Sequence, residues 1–314
     1  MLKVGLIGVG GISGAHIPCW EQMEDVELVA LCDIRPEQMK PYPGKRCYAS
    51  LTEMLEQEEL DILDICLPTY LHADAAVQAL EKGIHVLCEK PISLKTEDVA
   101  RIYAAAERNH VTFMVAQVLR FWPEYEFVKQ LYDTGKYGKL LSGTMTRLGN
   151  LPAWSWDNWM ADEKRSGLTP FDLHIHDLDF MVYAFGKPVD AARCRTHRED
   201  QDHLMAQYGF GDFTIHSEAA WYAPQSFNFN AGFRFQFEKA VVVSGHEGLV
   251  VYEKDGGKIH VGSPEGESAG LDLPATNAYA NEIRYFADCV KQGIPADKVK
   301  PCQLETVLDL LNAF

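Results

Sequence analysis

The first 120 residues alternate short apolar runs with amphipathic helical patterns, and this alternation restricts the possible folds more than any other feature of the chain. Apolar runs separated by single helices are typical of parallel β-α-β units, which build a doubly wound sheet. The expected strands are 2–8, 26–32, 61–67, 84–88 and 111–116, and the expected helices are 12–23, 51–57, 73–81 and 96–108. We therefore expect an α/β chain that begins with a parallel sheet.

The pattern changes after residue 121. Between 188 and 262, β-branched and aromatic residues alternate with polar ones, which is typical of an antiparallel sheet. Helices are expected at 124–132, 170–185, 278–291 and 303–314, and a loop at 263–270. The sequence therefore predicts two domains, 1–121 and 122–314, the second with an open, mainly antiparallel sheet.

One strand of this second sheet has a strongly aromatic face. The residues at alternate positions are Phe227, Phe229, Ala231, Phe233, Phe235 and Phe237. Either the sheet packs on the domain's own helices, or its second face forms an interface with another subunit. The pattern does not decide between them.

The charge balance excludes two classes of partner. With 29 Lys+Arg against 45 Asp+Glu, the net charge is −16, whereas nucleic acids and anionic membranes require a basic surface. Nowhere is there an uninterrupted apolar stretch of about 18 residues that could span a membrane. The eight cysteines include no C-x-x-C pair, and the N-terminus lacks the pattern of a signal peptide. We therefore expect neither a nucleic-acid nor a membrane partner, and a reducing cytoplasmic location.

The first strand runs into a glycine-rich turn, G-x-G-x-x-S, over residues 8–13. Gly8 permits the tight turn, Gly10 lets the backbone approach a pyrophosphate, and Gly11 and Ile12 open the helix whose N–H groups would bind it. Ser13 supplies the small third residue of this dinucleotide fingerprint. The alternative is a glycine-rich turn that binds no nucleotide.

Asp33 ends the second strand, 19 residues after Gly14. A carboxylate there accepts hydrogen bonds from the ribose hydroxyls and repels a 2′-phosphate, which favours NAD over NADP. Arg35 weakens this preference, because a guanidinium can bind such a phosphate. The expected cofactor is therefore NAD, with NADP not excluded.

Two more motifs follow strands of the first domain, at the sheet edge where open α/β sheets bind ligands. PTYLH follows the third strand and EKP the fourth. The proline after Lys90 holds that residue extended, and a cation beside a nicotinamide could polarise an alcohol or carbonyl oxygen. The expected cofactor contacts in the two motifs are Pro68, Thr69, His72, Glu89 and Lys90.

A cluster of acids and histidines occupies residues 169–179. Thr169 followed by proline predicts a helix N-terminus, with Thr169 as its cap. On that helix Asp172, His176 and Asp179 would share one stripe, while His174 would face the other way. The stripe suits a histidine base with carboxylates that orient it. The alternatives are a metal bound by the H-x-H pair, which a helix disfavours, and a purely structural His176.

Taken together, these motifs resemble the glucose–fructose oxidoreductase, inositol dehydrogenase and MocA (Gfo/Idh/MocA) family. The matching segments are GVGGISGAH at 8–16, ALCD at 30–33, CLPTYLH at 66–72, HVLCEKP at 85–91, LRFWP at 119–123, the D-x-x-x-H of 172–176, and AYANEIRYFADCV at 278–290. In this chain Ser13 replaces the third fingerprint Gly, and His174 replaces a Gly common between the family's Asp and His. The chain ends at Phe314, where many members continue with a short segment.

The resemblance implies a Rossmann domain followed by an α/β domain with an open antiparallel sheet, a nicotinamide cofactor, and hydride transfer at a secondary alcohol of a sugar or cyclitol. It also implies that Lys90 contacts the nicotinamide ribose and the substrate. His176 is then the acid/base, and Asp172 binds the substrate and supports His176. We expect a homodimer or homotetramer formed through the C-terminal sheet.

Aromatic residues just before this helix suit a sugar substrate. Trp154, Trp156 and Trp159, with Asp157 and Asn158, could stack on a sugar ring and bind its hydroxyls; a packed aromatic loop is the alternative. Arg120 either binds the sugar or is a structural ion-pair partner.

The sequence therefore predicts an NAD(P)-dependent dehydrogenase or reductase acting on CH–OH groups, with a small polyol or sugar as substrate and no metal. Two other functions stay open. One is an NAD-dependent glycoside-cleaving enzyme that oxidises its substrate transiently, and the other is a non-enzymatic NAD-binding regulator.

Overall fold

The computed structural model describes residues 1–245, 247–261 and 277–314, so the loop expected at 263–270 lies outside the described residues. The chain forms two compact units. The first comprises Met1–Val118 and Asn277–Leu308, and the second comprises Leu119–Thr276 and Asp309–Phe314. Within the described residues, no helix combines the length and apolarity needed to cross a membrane.

The first unit contains a six-stranded parallel sheet in the order β3-β2-β1-β4-β5-β6. Its strands are β1 Leu2–Ile7, β2 Val26–Cys32, β3 Arg46–Tyr48, β4 Ile62–Ile65, β5 His85–Glu89 and β6 Phe113–Ala116. Helices α1 Ser13–Glu21, α2 Pro36–Met39, α3 Leu51–Gln57, α4 His72–Leu80 and α5 Glu97–Arg108 connect them. The doubly wound sheet expected from the alternation is confirmed; only β3 and α2, of three and four residues, were not expected.

The second unit is built on an eight-stranded sheet in the order β14-β13-β12-β11-β7-β10-β9-β8. Its strands are β7 Leu140–Asn150, β8 Asp190–Arg198, β9 Gln201–Gly209, β10 Thr214–Tyr222, β11 Asn230–Phe237, β12 Ala240–Gly245, β13 Gly248–Glu253 and β14 Lys258–Val261. The helices are α6 Pro123–Thr134, α7 Glu163–Ser166 and α8 Ile175–Phe185. Pairing is antiparallel except between β7 and β10, so the open, mainly antiparallel sheet is confirmed.

Strand β7 lies inside this sheet, between β10 and β11, although the sequence does not predict it. After the buried Leu140 at its start, its buried positions hold Gly143, Met145, Arg147 and Gly149. Because only one of these four is a large apolar residue, the strand lacks the hydrophobic alternation that marks a half-buried strand. The Phe235 ring would lie 2.7 Å from a Cβ at position 143, so a close ring contact explains the glycine there.

The aromatic face of β11 packs on the unit's own helices. Phe233, Phe235 and Phe237 are buried, and the Phe233 ring lies 5.1 Å from that of Tyr125 on α6. Phe229, by contrast, precedes the strand and is 61% exposed. The aromatic face therefore packs within the unit, and an interface on the second face of the sheet stays a prediction.

The last two helices, α9 Ala278–Gln292 and α10 Pro301–Leu311, correct the expected domain division. Up to Leu308 they belong to the first unit, not to the second, and the break between units falls after Val118, not Phe121. Arg284 of α9 forms an ion pair with Asp25 at 2.8 Å, and α9 packs on α1. An amphipathic helix pattern shows that a face is buried but not which partner buries it, so these helices could not be assigned from sequence.

Candidate active site

The turn after β1 has the geometry that a dinucleotide requires. Gly8 has φ of +90°, and a Cβ there would lie 2.5 Å from the carbonyl oxygen of Cys66, so only glycine fits. Above Gly10 the nearest atom to such a Cβ is Nη2 of Arg35, at 3.9 Å, which leaves the backbone accessible. The Ser13 hydroxyl donates to the carbonyl of Gly10 at 2.7 Å and closes the turn.

The helix after this turn begins at Ser13, with Ile12 as its capping residue and no side-chain cap. Gly11 is exposed and Ile12 half-buried, so their main chain is accessible at the helix N-terminus. An uncapped, accessible N-terminus provides free N–H groups for a pyrophosphate. The residues at 8–13 therefore fit a dinucleotide.

Asp33 lies at the end of β2, is 7% exposed, and faces two main-chain N–H groups. Oδ2 accepts from Val9 at 2.9 Å, and Oδ1 accepts from Arg35 at 2.8 Å. The Arg35 guanidinium also contacts the carboxylate, with Nε 3.2 Å from Oδ1. Asp33, which favours NAD, and Arg35, which could bind the 2′-phosphate of NADP, thus form one ion pair beside the turn.

The motif after β4 differs from expectation at one residue. Pro68 and Thr69 follow the strand as expected, with Pro68 half-buried and Thr69 buried. His72, however, is 1% exposed, and its ring nitrogens each lie 2.7 Å from a main-chain carbonyl oxygen, one of Leu67 and one of Pro91. His72 therefore supports the backbone and is not exposed for a direct cofactor contact.

The motif after β5 places Lys90 at the sheet edge, half-buried, and the Lys90–Pro91 peptide is cis. Glu89 is 6% exposed, and its Oε2 accepts the N–H of Lys90 at 3.0 Å. Its Oε1 lies 3.1 Å from Nε2 of His16. The expected cofactor contact from Glu89 is corrected, because both of its carboxylate oxygens are used inside the protein.

His16 and Asp64 belong to the same arrangement, and the sequence does not predict it. Nδ1 of the fully buried His16 lies 2.9 Å from Oδ2 of Asp64, a buried acid within the apolar strand β4. That acid was the available signal, because a buried carboxylate requires a partner. His16, Asp64 and Cys66 present donor atoms within 4.8 Å of one another, the spacing of a metal site.

In the second unit, the acid and histidine cluster begins with a π-helix at Pro170–His174 and continues into α8. Thr169 is the N-cap residue before Pro170, as expected, but its backbone is helical and its side chain makes no capping hydrogen bond. Its N–H donates to Asp202 Oδ2 and its hydroxyl to the Asp202 carbonyl, both at 3.1 Å. Asp202 on β9 thus fixes the start of this helix.

The cluster divides into buried and partly exposed side chains. Asp172 and His176 are half-buried and keep part of their surface exposed. His174 is fully buried, with Nε2 2.7 Å from the Tyr208 hydroxyl and Nδ1 3.2 Å from that of Ser217. Burial, aided by nearby arginines, lowers the pKa of His174 to about 3. Because both nitrogens of His174 are used within the protein, the H-x-H metal pair loses one of its two ligands.

Two acids of the cluster form buried ion pairs instead of flanking His176. Asp179 receives Arg120 Nε at 2.8 Å and Nη2 at 2.6 Å, and both residues are almost fully buried. Asp177 receives Arg147 Nη2 at 2.8 Å. Asp179 is therefore not one of the carboxylates that orient His176. Arg120 is its structural ion-pair partner and not a sugar ligand.

The tryptophan loop at 154–159 contains two different environments. Trp154 is 72% exposed, whereas Trp159 packs against an apolar cluster formed by Met160, Leu168, Leu173, Leu204, Ala219 and Trp221. Asp157 forms an ion pair with Arg165 at 2.8 Å. Trp159 thus takes part in the unit's own packing, while Trp154 is open to solvent, and the sugar-binding wall stays a prediction.

Comparison with known proteins gives the family. Residues 2–117 match the GFO_IDH_MocA model, described as an oxidoreductase family with an NAD-binding Rossmann fold. Residues 125–251 match the GFO/IDH/MocA C-terminal domain. The chain belongs to the Gfo/Idh/MocA family. Its first unit is accordingly an NAD-binding Rossmann domain, in agreement with the geometry of the turn at Gly8 and with Asp33.

Relatives of the chain include sugar and cyclitol dehydrogenases. The chain is 30% identical to D-apiose dehydrogenase of Paraburkholderia graminis over 188 residues, covering 59% of this chain and 50% of that protein. It is 26% identical to myo-inositol 2-dehydrogenase of Thermotoga maritima over 194 residues, covering 60% and 56%. The aligned part spans about half the length of the curated relatives it matches.

Among solved structures, levoglucosan dehydrogenase in complex with NADH and levoglucosan superposes with a TM-score of 0.84. That alignment covers 99% of this chain and 95% of the other, at 20% sequence identity. At this identity the likeness establishes the fold of both units.

Proposed function

We propose that this family member transfers hydride between NAD and a secondary alcohol or ketone of a sugar, sugar derivative or cyclitol. One observation carries the proposal. Along the acid and histidine cluster, Asp172 and His176 are partly exposed, whereas His174, Asp177 and Asp179 are buried in contacts of their own. A base and an acid four residues apart are thus the two of these five side chains that a polar substrate can reach from solvent.

In the proposed oxidation, His176 accepts the proton of the substrate hydroxyl while the hydrogen on the same carbon leaves as hydride, so that the alcohol becomes a ketone. The Lys90 ammonium stabilises negative charge that develops on the reacting oxygen. Asp172 binds a substrate hydroxyl and supports His176. NAD, when bound, supplies the nicotinamide that accepts the hydride. In the reverse direction His176 donates the proton.

The cofactor is proposed to bind along the turn that begins at Gly8. The main chain at Gly10, Gly11 and Ile12 would hold the pyrophosphate, and the Asp33–Arg35 pair would face the adenosine ribose. The remaining contacts are assigned to Pro68, Thr69 and Lys90. Trp154 is proposed as a stacking surface for the sugar, while Trp159 supports the loop from the apolar cluster.

A substrate screen tests this function. Sugars, cyclitols and sugar acids are incubated with NAD or with NADP, and reduced nicotinamide is followed by absorbance. We expect reduction of NAD with at least one of these classes, and loss of turnover by about 100-fold or more in Lys90→Ala and His176→Ala, since each removes a group that acts in the transition state. His176→Ala should keep its NAD affinity, measured by fluorescence titration, because His176 is not among the proposed cofactor contacts.

Other outcomes separate the remaining functions. Release of a sugar from a glycoside without net reduced nicotinamide would support the glycoside-cleaving alternative. Tight NAD binding without turnover on any substrate, unchanged by both substitutions, would support the regulator. A clear preference for NADP would contradict the role given to Asp33.

We also propose that the chain assembles as a homodimer or homotetramer through the face of the eight-stranded sheet opposite the aromatic face. Thr144, Thr146 and Arg234 lie on that face, and Met205 is 53% exposed there. A reducing cytoplasmic location is proposed because the eight cysteines are free thiols.

A further inference from the structure

A buried chain of hydrogen bonds runs from Asp64 through His16 to Glu89 in the first unit. Nδ1 of His16 lies 2.9 Å from Asp64 Oδ2, and Nε2 lies 3.1 Å from Glu89 Oε1. Exposed fractions are 0% for His16, 0% for Asp64 and 6% for Glu89. None of the steps assigned to Lys90 or His176 uses these groups directly, so their arrangement requires its own explanation.

The ring of His16 is held in one orientation by charge. Both partners are carboxylates, which accept hydrogen bonds, so an imidazolium that donates from both nitrogens fits the site. Burial by itself lowers the pKa of His16, but the charges and hydrogen bonds of Asp64 and Cys66 together outweigh it, and the pKa is raised well above its ordinary value. Trp20 Nε1 also donates to Asp64 Oδ2, at 2.7 Å, and so holds the Asp64 carboxylate at one end of this series of hydrogen bonds.

At its other end, this series of hydrogen bonds reaches the main-chain N–H of Lys90. Glu89 uses Oε1 for His16 and Oε2 for the N–H of Lys90, at 3.0 Å. If His16 released Glu89, the carboxylate could rotate and the N–H of Lys90 would lose its acceptor. His16 itself lies on α1, the helix that follows the glycine-rich turn. The His16 imidazole therefore connects α1, through Glu89, to the main chain of Lys90.

We propose that His16 is a positioning residue for Lys90, acting through Glu89 to fix the lysine relative to the NAD-binding turn. The proposal rests on the proposed function, in which Lys90 stabilises the reacting oxygen. It also explains why Glu89 is buried beside the lysine, with one carboxylate oxygen on His16 and the other on the N–H of Lys90. A metal held by His16, Asp64 and Cys66 is the competing explanation, and it would require His16 to give up the proton that faces Asp64.

Two substitutions of His16 separate its two contacts. The amide nitrogen of His16→Asn can replace Nδ1 toward Asp64 but cannot reach Glu89, whereas that of His16→Gln can replace Nε2 toward Glu89. We expect His16→Asn to lower kcat by about 10- to 100-fold, the usual effect of losing a group that orients a catalytic residue. His16→Gln should retain kcat within about fivefold by restoring that contact.

A readout independent of turnover is amide hydrogen exchange at Lys90, followed by NMR on the protein without substrate. Exchange there should be at least about tenfold faster in His16→Asn and close to wild type in His16→Gln, because only the first frees Glu89. His85→Asn is the matched control. His85 lies at the opposite end of β5, where its Nδ1 accepts from the N–H of Thr112 at 2.8 Å, a contact that the Asn Oδ1 can take over, so this substitution should change neither kcat nor exchange at Lys90.

The outcomes distinguish this inference from the proposed function. Unchanged turnover in Lys90→Ala would contradict the proposed function, whatever His16 does. If Lys90→Ala loses turnover while His16→Asn keeps wild-type kcat and wild-type exchange at Lys90, the inference is overturned and the function stands. Stoichiometric zinc in the purified protein, lost in His16→Asn, would also overturn it. Should His16→Asn fail to fold, Glu89→Gln provides the same test, and wild-type values there overturn the inference.

Discussion

At the scale of single residues, burial separates the side chains proposed to act on ligands from those that hold the protein together. Arg120 and His72 have the residue types and the motif positions of ligand contacts, yet both are almost inaccessible and bonded to the chain's own groups. His176 and Lys90 remain partly exposed. Sequence patterns give residue type and spacing, but accessibility depends on contacts between distant segments, as with Arg120 and Asp179.

Gly8→Ala should impair NAD binding, because the added Cβ would lie 2.5 Å from the Cys66 carbonyl oxygen at a φ of +90°. We expect the Kd for NAD, measured by fluorescence titration, to rise by about 10- to 100-fold, or about 1.4–2.7 kcal/mol. Gly14→Ala is the control: nothing lies within 4 Å of its Cβ position, and an alanine in this helix should add about 0.5–1 kcal/mol of stability. Equal Kd values for the two variants would contradict the role of Gly8.

Arg120→Met should destabilise the protein by about 3–5 kcal/mol, because it leaves the buried Asp179 carboxylate without its bidentate partner. Urea unfolding measures this loss. The double variant Arg120→Met with Asp179→Leu removes both charges and should recover most of it. Substrate KM in the double variant should stay within about threefold of wild type. A KM increase of tenfold or more in a stable double variant would instead indicate that Arg120 binds the sugar.

At the scale of elements, strands β1, β2, β4, β5 and β6 of the first unit were predictable because each is a mainly apolar run, unlike the three-residue β3. Strand β7 was not, since glycines and Arg147 occupy buried positions where large apolar residues usually mark a strand. The π-helix at Pro170–His174 was not predictable either. A proline at the first position starts a helix of either kind, and the wider turn is set by tertiary contacts such as those of Thr169 with Asp202.

His174 should make the stability of this helix region depend on pH. Its folded pKa of about 3 lies below the ordinary value near 6.5, so the unfolded chain binds more protons between these values. The contribution of neutral His174 is therefore fully present above about pH 6.5 and is lost as the pH falls, by up to about 1.4 kcal/mol per pH unit. In His174→Gln, the urea midpoint should fall less steeply on acidification than in wild type. Parallel curves for the two proteins would contradict a buried neutral His174.

At the scale of the whole molecule, the family membership and both units agree with the sequence motifs, while the assembly depends on surfaces that no motif describes. The aromatic alternation of β11 suggested an interface, yet those rings are buried by the unit's own helices. The opposite face, with the exposed Met205, is the proposed contact between subunits. Alternation in a strand identifies two faces but not the partner of either one.

The assembly can be tested by light scattering after size exclusion. The wild-type particle should have two or four times the chain mass of 35.3 kDa. Met205→Glu should shift it toward the monomer, because a charge would be buried at the contact. Ile294→Glu, an equally drastic change at an exposed apolar residue of the first unit, should leave the mass unchanged. A wild-type monomer, or an intact assembly in Met205→Glu, would contradict the proposed interface.

The central claim is that the chain catalyses a net oxidation or reduction of a sugar or cyclitol carbon with His176 as the proton carrier. The most direct measurement is the ratio of reduced nicotinamide formed to substrate consumed, for wild type and His176→Ala at saturating NAD. We predict one reduced nicotinamide and one ketone per substrate consumed in the wild type, with turnover lost by about 100-fold or more in the variant while its NAD affinity is kept. Substrate consumed without net reduced nicotinamide, or full turnover in His176→Ala, would contradict the claim.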